Sequence, residues 1–271
     1  MADRNVAFVG EIPSNYDRYL GPVLFHAYAD DLAGRLTLKP GMRVLETACG
    51  TGIVTRRLLD RLRGHGVLVA TDLNEAMIAH ARSHVSAEPG LLEWQTADAT
   101  KLPFPDGSFD AVVCQFGLMF FPDKAAGIGE AFRVLRPGGH YLFNVWDAMA
   151  RNPIQRITHE TVATFFPANP PMFYTVPFSL HDPGPVRALL ERAGFGQITW
   201  THLEKTGTSP SAADAATGLI EGNPILGAIM ERRPEALGEI KQAVAAAIAA
   251  ELGDRPVWSP LRALVFSARR P

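Results

Sequence analysis

The chain has 271 residues, a length that suits one large α/β domain with additions or two small domains. Hydrophobic residues make up 47% of the chain and charged residues 20%, so we expect a soluble globular fold. The net charge of −2 provides no basic surface for nucleic acid or for an anionic membrane. We therefore expect neither nucleic-acid binding nor stable insertion into a membrane.

The cysteines and the N-terminus narrow the class of protein further. The chain has only two cysteines, Cys49 and Cys114, and neither lies in a CxxC pair, so we expect no metal site. No segment approaches the 18 or so uncharged apolar residues of a membrane span, and the N-terminal residues show no apolar stretch of signal-peptide length. The sequence therefore predicts a cytoplasmic protein.

The predicted elements alternate between strands and helices from residue 42 onward. A helix over 16–37 comes first, and Lys39-Pro40-Gly41 ends it. Apolar runs predict strands at 42–47, 67–71, 92–96, 110–115 and 139–146. Apolar residues at helical spacing predict helices at 53–63, 75–85 and about 123–135, the last ended by Arg136-Pro137-Gly138-Gly139. This alternation predicts a doubly wound, mostly parallel sheet that binds ligands at the carboxyl ends of its strands.

The second half of the chain departs from this alternation twice. Residues 151–178 are rich in proline and aromatic residues, and residues 209–255 read as a helical insertion. Between and after them we predict a helix at 183–193 and strands near 197–206 and 261–268, the last antiparallel. We therefore divide the chain into an N-terminal helical cap, 1–38, and a main domain, 39–271, with cap insertions at about 151–178 and 209–255.

A glycine-rich turn after the first strand is the most informative motif. The sequence VLETACGTG places Gly50 and Gly52 between an apolar strand and a helix, where the backbone turns sharply and approaches a ligand closely. Asp72 ends the next strand, 20 residues after Gly52, and an acid at that distance suits ribose hydroxyls. Asp72 could instead cap the following helix. Cys49 suits a small buried residue better than a nucleophile, because no cation or histidine is near it in the sequence.

Further blocks follow this motif in order, and together they carry a family resemblance. They are Asp98-Ala99, LPFPDGSFDAVVCQFGLMF, RVLRPGGHYLFNVW and a later LLERAGF. The chain resembles the class I S-adenosylmethionine (SAM)-dependent methyltransferases, and among them the small-molecule group that includes the ubiquinone and menaquinone biosynthesis C-methyltransferases. The resemblance covers about 40–147 well and 178–206 more loosely. It implies a Rossmann-like sheet of seven strands with the last strand antiparallel, SAM as the methyl donor and S-adenosylhomocysteine as the product.

The resemblance also implies roles for individual residues. The methionine part of SAM would lie against Glu46 and the turn Ala48, Cys49, Gly50, Thr51 and Gly52. Asp72 would accept hydrogen bonds from the ribose hydroxyls. The adenine would meet Leu73, Met77, Asp98 and Ala99. The sulfonium would be bordered by Gln115, Phe116 and Gly117. Tyr19 is the candidate for an aromatic contact from the N-terminal segment. Ala48 departs from the family pattern, because a glycine is commoner at that position.

Two alternative functions remain compatible with the residues at this point. The first is a nicotinamide-dependent oxidoreductase, although the third glycine of GxGxxG is absent and Thr55 stands in its place. The second is a non-catalytic SAM-binding or scaffold protein, since no residue is identified as catalytic and a general base is needed only for a protonated acceptor. His26 and His159 lie in segments that could cover the site, and His140 begins a strand at its opposite end.

The methyl acceptor must be inferred from the segments that cover the sheet. Two segments, called the covers below, are the N-terminal cap, 1–38, and the insertion at about 151–178. Both are rich in aromatic residues, which are Phe8, Tyr16, Tyr19, Phe25, Tyr28, Phe165, Phe166, Phe173, Tyr174 and Phe178. These rings either line an apolar acceptor pocket or pack the covers onto the sheet. The first interpretation predicts a small apolar or aromatic acceptor such as a quinone, phenol, polyketide or lipid-like molecule. The insertion 209–255 is a candidate lid or homodimer surface.

Overall fold

The computed structural model describes Phe8 and residues 10–271, and a seven-stranded sheet lies at its centre. The strand order across the sheet is β3-β2-β1-β4-β5-β7-β6. The strands are β1 (Met42–Thr47), β2 (Gly66–Asp72), β3 (Leu92–Thr96), β4 (Phe109–Gln115), β5 (Leu135–Trp146), β6 (Gly196–Ser209) and β7 (Val257–Arg269).

The pairing of the strands confirms the predicted fold class. Strand β1 pairs in parallel with β2 and β4, and the parallel pairing continues to β3 on one side and β5 on the other. Strand β7 runs antiparallel between β5 and β6. The order reverses at β1 and β4, so the carboxyl ends of these two strands border a crevice where ligands bind in such folds.

Helices cover the sheet and its carboxyl edge. They are α1 (Ile12–Asn15), a π-helix (Tyr16–Phe25), α2 (His26–Gly34), α3 (Ile53–Leu62), α4 (Glu75–His84), α5 (Lys124–Val134), α6 (Pro153–Thr164), α7 (Pro183–Ala193), α8 (Ala212–Glu221), α9 (Ile225–Arg232) and α10 (Leu237–Leu252). The predicted helices at 53–63, 75–85 and 183–193 agree with the structure to within one residue. The insertion 209–255 is mainly helical, as predicted.

The predicted helix over 16–37 is confirmed as helical over 16–34, but the helical stretch begins earlier, at Ile12, and changes type along its length. Residues Tyr16–Phe25 form a π-helix with Pro22 inside it, and the amide of His26 donates to the carbonyl of Gly21. Proline has no amide hydrogen, which favours a wider turn at this point. A side chain at Gly21 would overlap the ring of His26, at 2.8 Å from its Nε2. The apolar spacing predicted a helix but did not predict its wider turn.

The predicted start of β5 at residue 139 is also wrong. The strand begins at Leu135, which pairs with Phe109, and the pairing then shifts so that His140 opposes Ala111. Gly138 has φ of +77° within the irregular stretch. Arg136-Pro137-Gly138-Gly139 therefore ends α5, as predicted, and also forms a bulge that brings the chain into the sheet.

The insertion packs its apolar residues inside the same chain. Ile220, Ile225 and Ile229 are fully buried, and Gly218 of α8 touches Tyr19 and Leu20 of the π-helix. Within the described residues, no helix has the length and apolarity needed to cross a bilayer. The domain division, the cytoplasmic location, the absence of nucleic-acid binding and the homodimer stay predictions.

Candidate functional site

The glycine turn after β1 carries an unusual backbone. Gly50 and Gly52 have φ of +55° and +82°, and Ala48 has φ of +53° without being a glycine. A side chain at Gly52 would lie 2.8 Å from Cγ2 of Val85, because α3 starts close to the end of α4. The positive φ at Ala48 is a costly conformation for a residue with a Cβ, so the surrounding structure must hold it.

Asp72 joins the ends of β1 and β2. Its Oδ2 accepts a hydrogen bond from the amide of Gly50 at 2.9 Å, and its Oδ1 accepts one from the amide of Asn74 at 2.8 Å. Burial raises the pKa of the Asp72 carboxyl, and the backbone amides at Asn74 and Gly50 act in the opposite direction. The amide group of the Asn74 side chain lies 3.4 Å from the same Oδ1, whereas Oδ2 keeps a second lone pair for a ligand hydroxyl.

A cavity of about 410 Å³ lies between these turns at the carboxyl edge of the sheet. Its walls combine two carboxylates with mainly apolar groups from the turns after β1, β2, β3 and β4. The lining residues are Phe8, Tyr16, Ala48, Gly50, Asp72, Leu73, Asn74, Met77, Ala97, Asp98, Ala99, Gln115, Phe116, Gly117, Phe120, Phe121 and Pro122. Leu73 is 54% exposed although it is a large apolar side chain, so this wall offers uncovered surface to a ligand.

The turn after β4 closes one side of this cavity. Phe116 has φ of +49°, and its amide donates to Oδ1 of Asn144 at 3.0 Å. A side chain at Gly117 would lie 2.5 Å from the Cβ of Ala48 and 2.8 Å from Sγ of Cys114. Gly117 therefore lets the turns after β1 and β4 approach each other, and both turns hold a non-glycine residue in the left-handed region.

The structure brings most of the predicted site residues together. Ten of them line the cavity: Ala48, Gly50, Asp72, Leu73, Met77, Asp98, Ala99, Gln115, Phe116 and Gly117. Five others do not line it: Tyr19, Glu46, Cys49, Thr51 and Gly52. Residues that the sequence did not single out also line it, among them Asn74, Phe120 and Phe121. The sequence feature that could have identified these residues is their position in the segments that follow β2 and β4.

Tyr19 lies away from the cavity, which corrects its predicted position. It contacts Gly218 of α8, and the guanidinium of Arg18 lies 5.1 Å from its ring centre. Tyr16, about one turn earlier in the π-helix, lines the cavity and stacks on Phe25 with ring centres 4.7 Å apart. An aromatic residue of the N-terminal segment therefore reaches the cavity, but it is Tyr16 and not the predicted Tyr19.

Glu46 and Cys49 lie behind the cavity wall. Glu46 is 2% exposed and accepts a hydrogen bond of 2.7 Å from the hydroxyl of Thr55. Burial raises the pKa of the Glu46 carboxyl to about 8. Burial also raises the pKa of the Cys49 thiol, which makes the thiolate unfavourable. Thr55 stands where the nicotinamide motif has its third glycine, and its hydroxyl is the hydrogen-bond partner of the buried Glu46 carboxyl.

The N-terminal segment is attached to the glycine turn through Asp17. Its Oδ1 accepts hydrogen bonds from the hydroxyl of Thr51 at 2.9 Å and from the guanidinium of Arg56 at 3.3 Å. Nε2 of His80, on α4, lies 3.9 Å from the other oxygen. Thr51 thus lies outside the cavity lining but holds the π-helix over it.

A second, smaller cavity of about 40 Å³ adjoins the first. The two share Phe8, Tyr16, Phe116 and Phe120. The remaining walls of the smaller cavity come from the N-terminal helices, the turn after β4, the end of β5 and the two cap insertions. They are Leu24, Phe25, Met119, Trp146, Gln155, Phe173, Tyr174, Pro177 and Asn223. Phe116 stacks on Trp146 with ring centres 4.0 Å apart and an interplanar angle of 10°.

The histidines considered from the sequence do not line either cavity. His26 lies beside Gly21, and His140 meets the hydroxyl of Ser267 at 2.7 Å. His159 has its ring centre 6.5 Å from that of Tyr174, and its buried Nδ1 has no hydrogen-bond partner. Among the described residues that line the two cavities, the carboxylates are Asp72 and Asp98, and no histidine or lysine is present.

Comparison with known proteins identifies the family. A family model described as a methyltransferase domain matches residues 44–139. The ubiquinone/menaquinone biosynthesis C-methyltransferase UbiE of Ectopseudomonas mendocina is 30% identical over 193 residues, which cover 66% of this chain and 74% of that enzyme. The chain belongs to the class I SAM-dependent methyltransferases. It is an enzyme, and its methyl donor is SAM.

Other relatives agree with this assignment over shorter segments. UbiE of Proteus mirabilis is 29% identical over 178 residues, covering 61% of this chain and 71% of the relative. UbiE of Laribacter hongkongensis is 41% identical over 105 residues, covering 39% of this chain and 43% of the relative. The higher identity is thus found over the shorter aligned segment.

Solved structures share the fold. A phosphoethanolamine N-methyltransferase 2 of Haemonchus contortus, in complex with SAM, has a TM-score of 0.63 at 15% identity, covering 100% of this chain and 60% of that one. YcgJ of Bacillus subtilis has a TM-score of 0.61 at 17% identity, covering 91% of this chain and 100% of that one. At these identities the likeness concerns the fold alone.

The residues of this methyltransferase fit a SAM molecule. Asp72 presents carboxylate lone pairs suited to a diol. Leu73 and Met77 offer apolar surface for a flat ring, and Met77 is a soft, adaptable side chain. Oε1 of Gln115 is buried without a hydrogen-bond partner, while its Nε2 donates to the carbonyl of Phe25 at 3.4 Å. An unpaired buried acceptor on this wall suits an ammonium group of a ligand.

Proposed function

We propose that this methyltransferase transfers the methyl group of SAM to a small apolar or aromatic acceptor bound between the two covers of the sheet. The observation that carries the proposal is the junction of the two cavities, where the rings of Phe8, Tyr16, Phe116 and Phe120 form common walls. A flat or apolar molecule gains contact area and ring stacking there, whereas a charged side chain of a protein would lose its hydration.

The donor is proposed to occupy the larger cavity. Asp72 would accept two charge-assisted hydrogen bonds from the ribose hydroxyls, and Asp98 would accept one from the adenine amino group. Oδ1 of Asp98 already accepts from the amide and hydroxyl of Thr100, at 2.8 and 2.7 Å, which orients the carboxylate. Leu73, Met77 and Ala99 would pack on the adenine, and Gln115 would border the methionine part.

Positioning is the main catalytic contribution that we propose for this chain. SAM supplies an activated methyl group on a sulfonium. Phe116, held by Asn144 and stacked on Trp146, forms a rigid wall between the two cavities. Holding two reactants in line can contribute about 7–11 kcal/mol to the lowering of a barrier. The apolar walls also keep water away from the acceptor.

The acceptor atom is expected to be nucleophilic without help from a basic side chain. The described lining of the smaller cavity contains no carboxylate, histidine or lysine. Burial raises the pKa of Tyr16 and of Tyr174, so neither phenol readily becomes a phenolate. A carbon atom of an electron-rich ring, or an acceptor already ionised in solution, meets this condition. The C-methyltransferase names of the curated relatives support the carbon alternative.

The test combines calorimetry with a methyl-transfer assay. Titration with S-adenosylhomocysteine should show binding to one site per chain. Incubation with labelled SAM and a panel of phenols, quinols and other small aromatic acceptors should then transfer label to at least one class. Label on a protein or an amine-only substrate, with no aromatic acceptor labelled, would contradict the proposed acceptor class.

A further inference from the structure

Gln155 lines the smaller cavity, and its side chain carries an unpaired polar atom. The residue lies on α6 and is 2% exposed, and its side-chain Oε1 is buried without a hydrogen-bond partner. The face of α6 that buries Gln155 also buries Ile154, Ile157 and Val162. An unpaired acceptor in such surroundings destabilises the folded state, so a native structure that retains one calls for an explanation.

The neighbouring polar groups of this cavity already have partners. The hydroxyl of Tyr174 donates to the carbonyl of Leu219 at 2.6 Å. Nδ2 of Asn223 donates to the same carbonyl at 3.2 Å and reaches the Tyr174 hydroxyl at 3.5 Å. These bonds join the Tyr174 hydroxyl and the Asn223 amide nitrogen to the end of α8. Gln155 Oε1 is the buried side-chain acceptor of this cavity that is left for a ligand.

The size of the cavity restricts what can reach Gln155. At about 40 Å³ against about 410 Å³ for the larger cavity, the space beside Gln155 suits a polar substituent better than a whole acceptor molecule. The ring that bears the substituent would lie at the junction, between Tyr16, Phe116 and Phe120. The arrangement thus fits an aromatic molecule that directs a single O–H or N–H group away from the donor cavity and toward α6.

We propose that Gln155 is a specificity-determining residue that accepts a hydrogen bond from a hydroxyl or amino substituent on the ring of the methyl acceptor. This inference rests on the proposed function, because it assumes that the acceptor ring lies at the junction of the cavities. It adds that the acceptor is a hydrogen-bond donor such as a phenol or an aniline. A wholly unsubstituted hydrocarbon, or a ring that bears only ethers, would leave Gln155 unsatisfied.

The test uses three matched probes on protein saturated with S-adenosylhomocysteine: 4-fluorophenol, 4-fluoroanisole and 4-fluorotoluene, followed by fluorine NMR. They differ in whether the ring substituent donates a hydrogen bond, only accepts one, or does neither. The expected result is that 4-fluorophenol binds about tenfold more tightly than the other two probes, as one hydrogen bond to a buried acceptor allows. Equal binding of all three would overturn the proposal. Equal binding of 4-fluorophenol and 4-fluoroanisole, both tighter than 4-fluorotoluene, would overturn it too, since the amide would then act as the donor.

Variants isolate the role of Gln155. In Gln155→Met the preference for 4-fluorophenol should disappear while the affinity for 4-fluorotoluene is retained. The control is Gln242→Met, at an exposed position on α10, which should keep the preference. Calorimetry with S-adenosylhomocysteine tests the proposed function separately from the role of Gln155. Absence of this binding to the wild-type protein would contradict the proposed function. Normal binding without a probe preference would contradict the role of Gln155 alone.

Discussion

The hydroxyl of Thr51 donates a 2.9 Å hydrogen bond to the carboxylate of Asp17, which joins the glycine turn to the π-helix. The same π-helix carries Tyr16, whose ring lines both cavities. The turn proposed to hold the methionine part of SAM and the cover proposed to hold the acceptor are therefore in direct contact. Donor binding and closure of the N-terminal cover should be coupled.

Replacing Asp17 by alanine should weaken this coupling. We expect affinity for S-adenosylhomocysteine to fall by about tenfold, because one hydrogen bond and the ion pair with Arg56 are lost from a partly buried site. Hydrogen exchange of amides in Tyr16–Phe25 should become faster. Asp30→Ala is the matched control, since Asp30 pairs with Arg57 at 2.8 Å on the exposed side of α2. Equal effects of the two variants on donor affinity would contradict the coupling.

Asp72→Asn should weaken donor binding much more strongly. The variant replaces the charged carboxylate that is proposed to accept two hydrogen bonds from the ribose. Each such bond to a charged group is worth about 1.5–3 kcal/mol, so the affinity for the donor should fall at least a hundredfold. Calorimetry with S-adenosylhomocysteine measures it, and a thermal melt checks that the variant is folded. Asp60→Asn, at an exposed residue of α3, should bind as the wild type does. Unchanged affinity in Asp72→Asn would exclude the ribose role.

The pH dependence of stability should report Glu46. The folded state raises the pKa of this carboxyl from 4.5 to about 8, so between these values the folded protein holds a proton that the unfolded chain has lost. The stabilisation is complete below pH 4.5 and is lost as pH rises toward 8. Glu46→Gln keeps the acceptor for Thr55 but does not titrate. Thermal midpoints at pH 5, 6.5 and 8 should rise in the variant relative to wild type as pH increases. Glu93→Gln, at an exposed carboxylate, should follow wild type, and a Glu46→Gln variant that does the same would contradict the assignment.

Two glycines of α5 should respond oppositely to alanine. A Cβ at Gly127 would overlap the ring of Phe121, which lines the larger cavity. Gly127→Ala should therefore destabilise by about 1–3 kcal/mol and weaken donor binding. A Cβ at Gly129 meets open space, so Gly129→Ala should stabilise the helix by about 0.5–1 kcal/mol with unchanged binding. Chemical denaturation and calorimetry measure both variants. The same sign of stability change in both would contradict this account.

The sequence by itself determined the fold class and most of the donor cavity. In a parallel α/β sheet, the residues that follow successive strands meet at one edge, so their order in the chain is enough to place them together. That reasoning correctly placed Gly50, Asp72, Asp98 and Phe116 around one cavity. It did not distinguish residues that line the cavity from residues directly behind it, because side-chain direction at a turn depends on local backbone angles. The roles that the resemblance implies for Glu46 and Cys49 stay predictions, and neither residue lines the cavity.

Only the tertiary structure decided how the covers meet the sheet. Tyr16 lines the larger cavity and Tyr19 does not, although both lie in the same π-helix, whose wider turn changes the angle between residues three positions apart. Gln155 and Asn223 are 68 positions apart in the sequence, yet both line the smaller cavity. No local pattern encodes such a contact, since it depends on how α6 and the 209–255 insertion pack together. The walls of the larger cavity were therefore predictable from chain order, whereas the smaller cavity depends on contacts between distant segments.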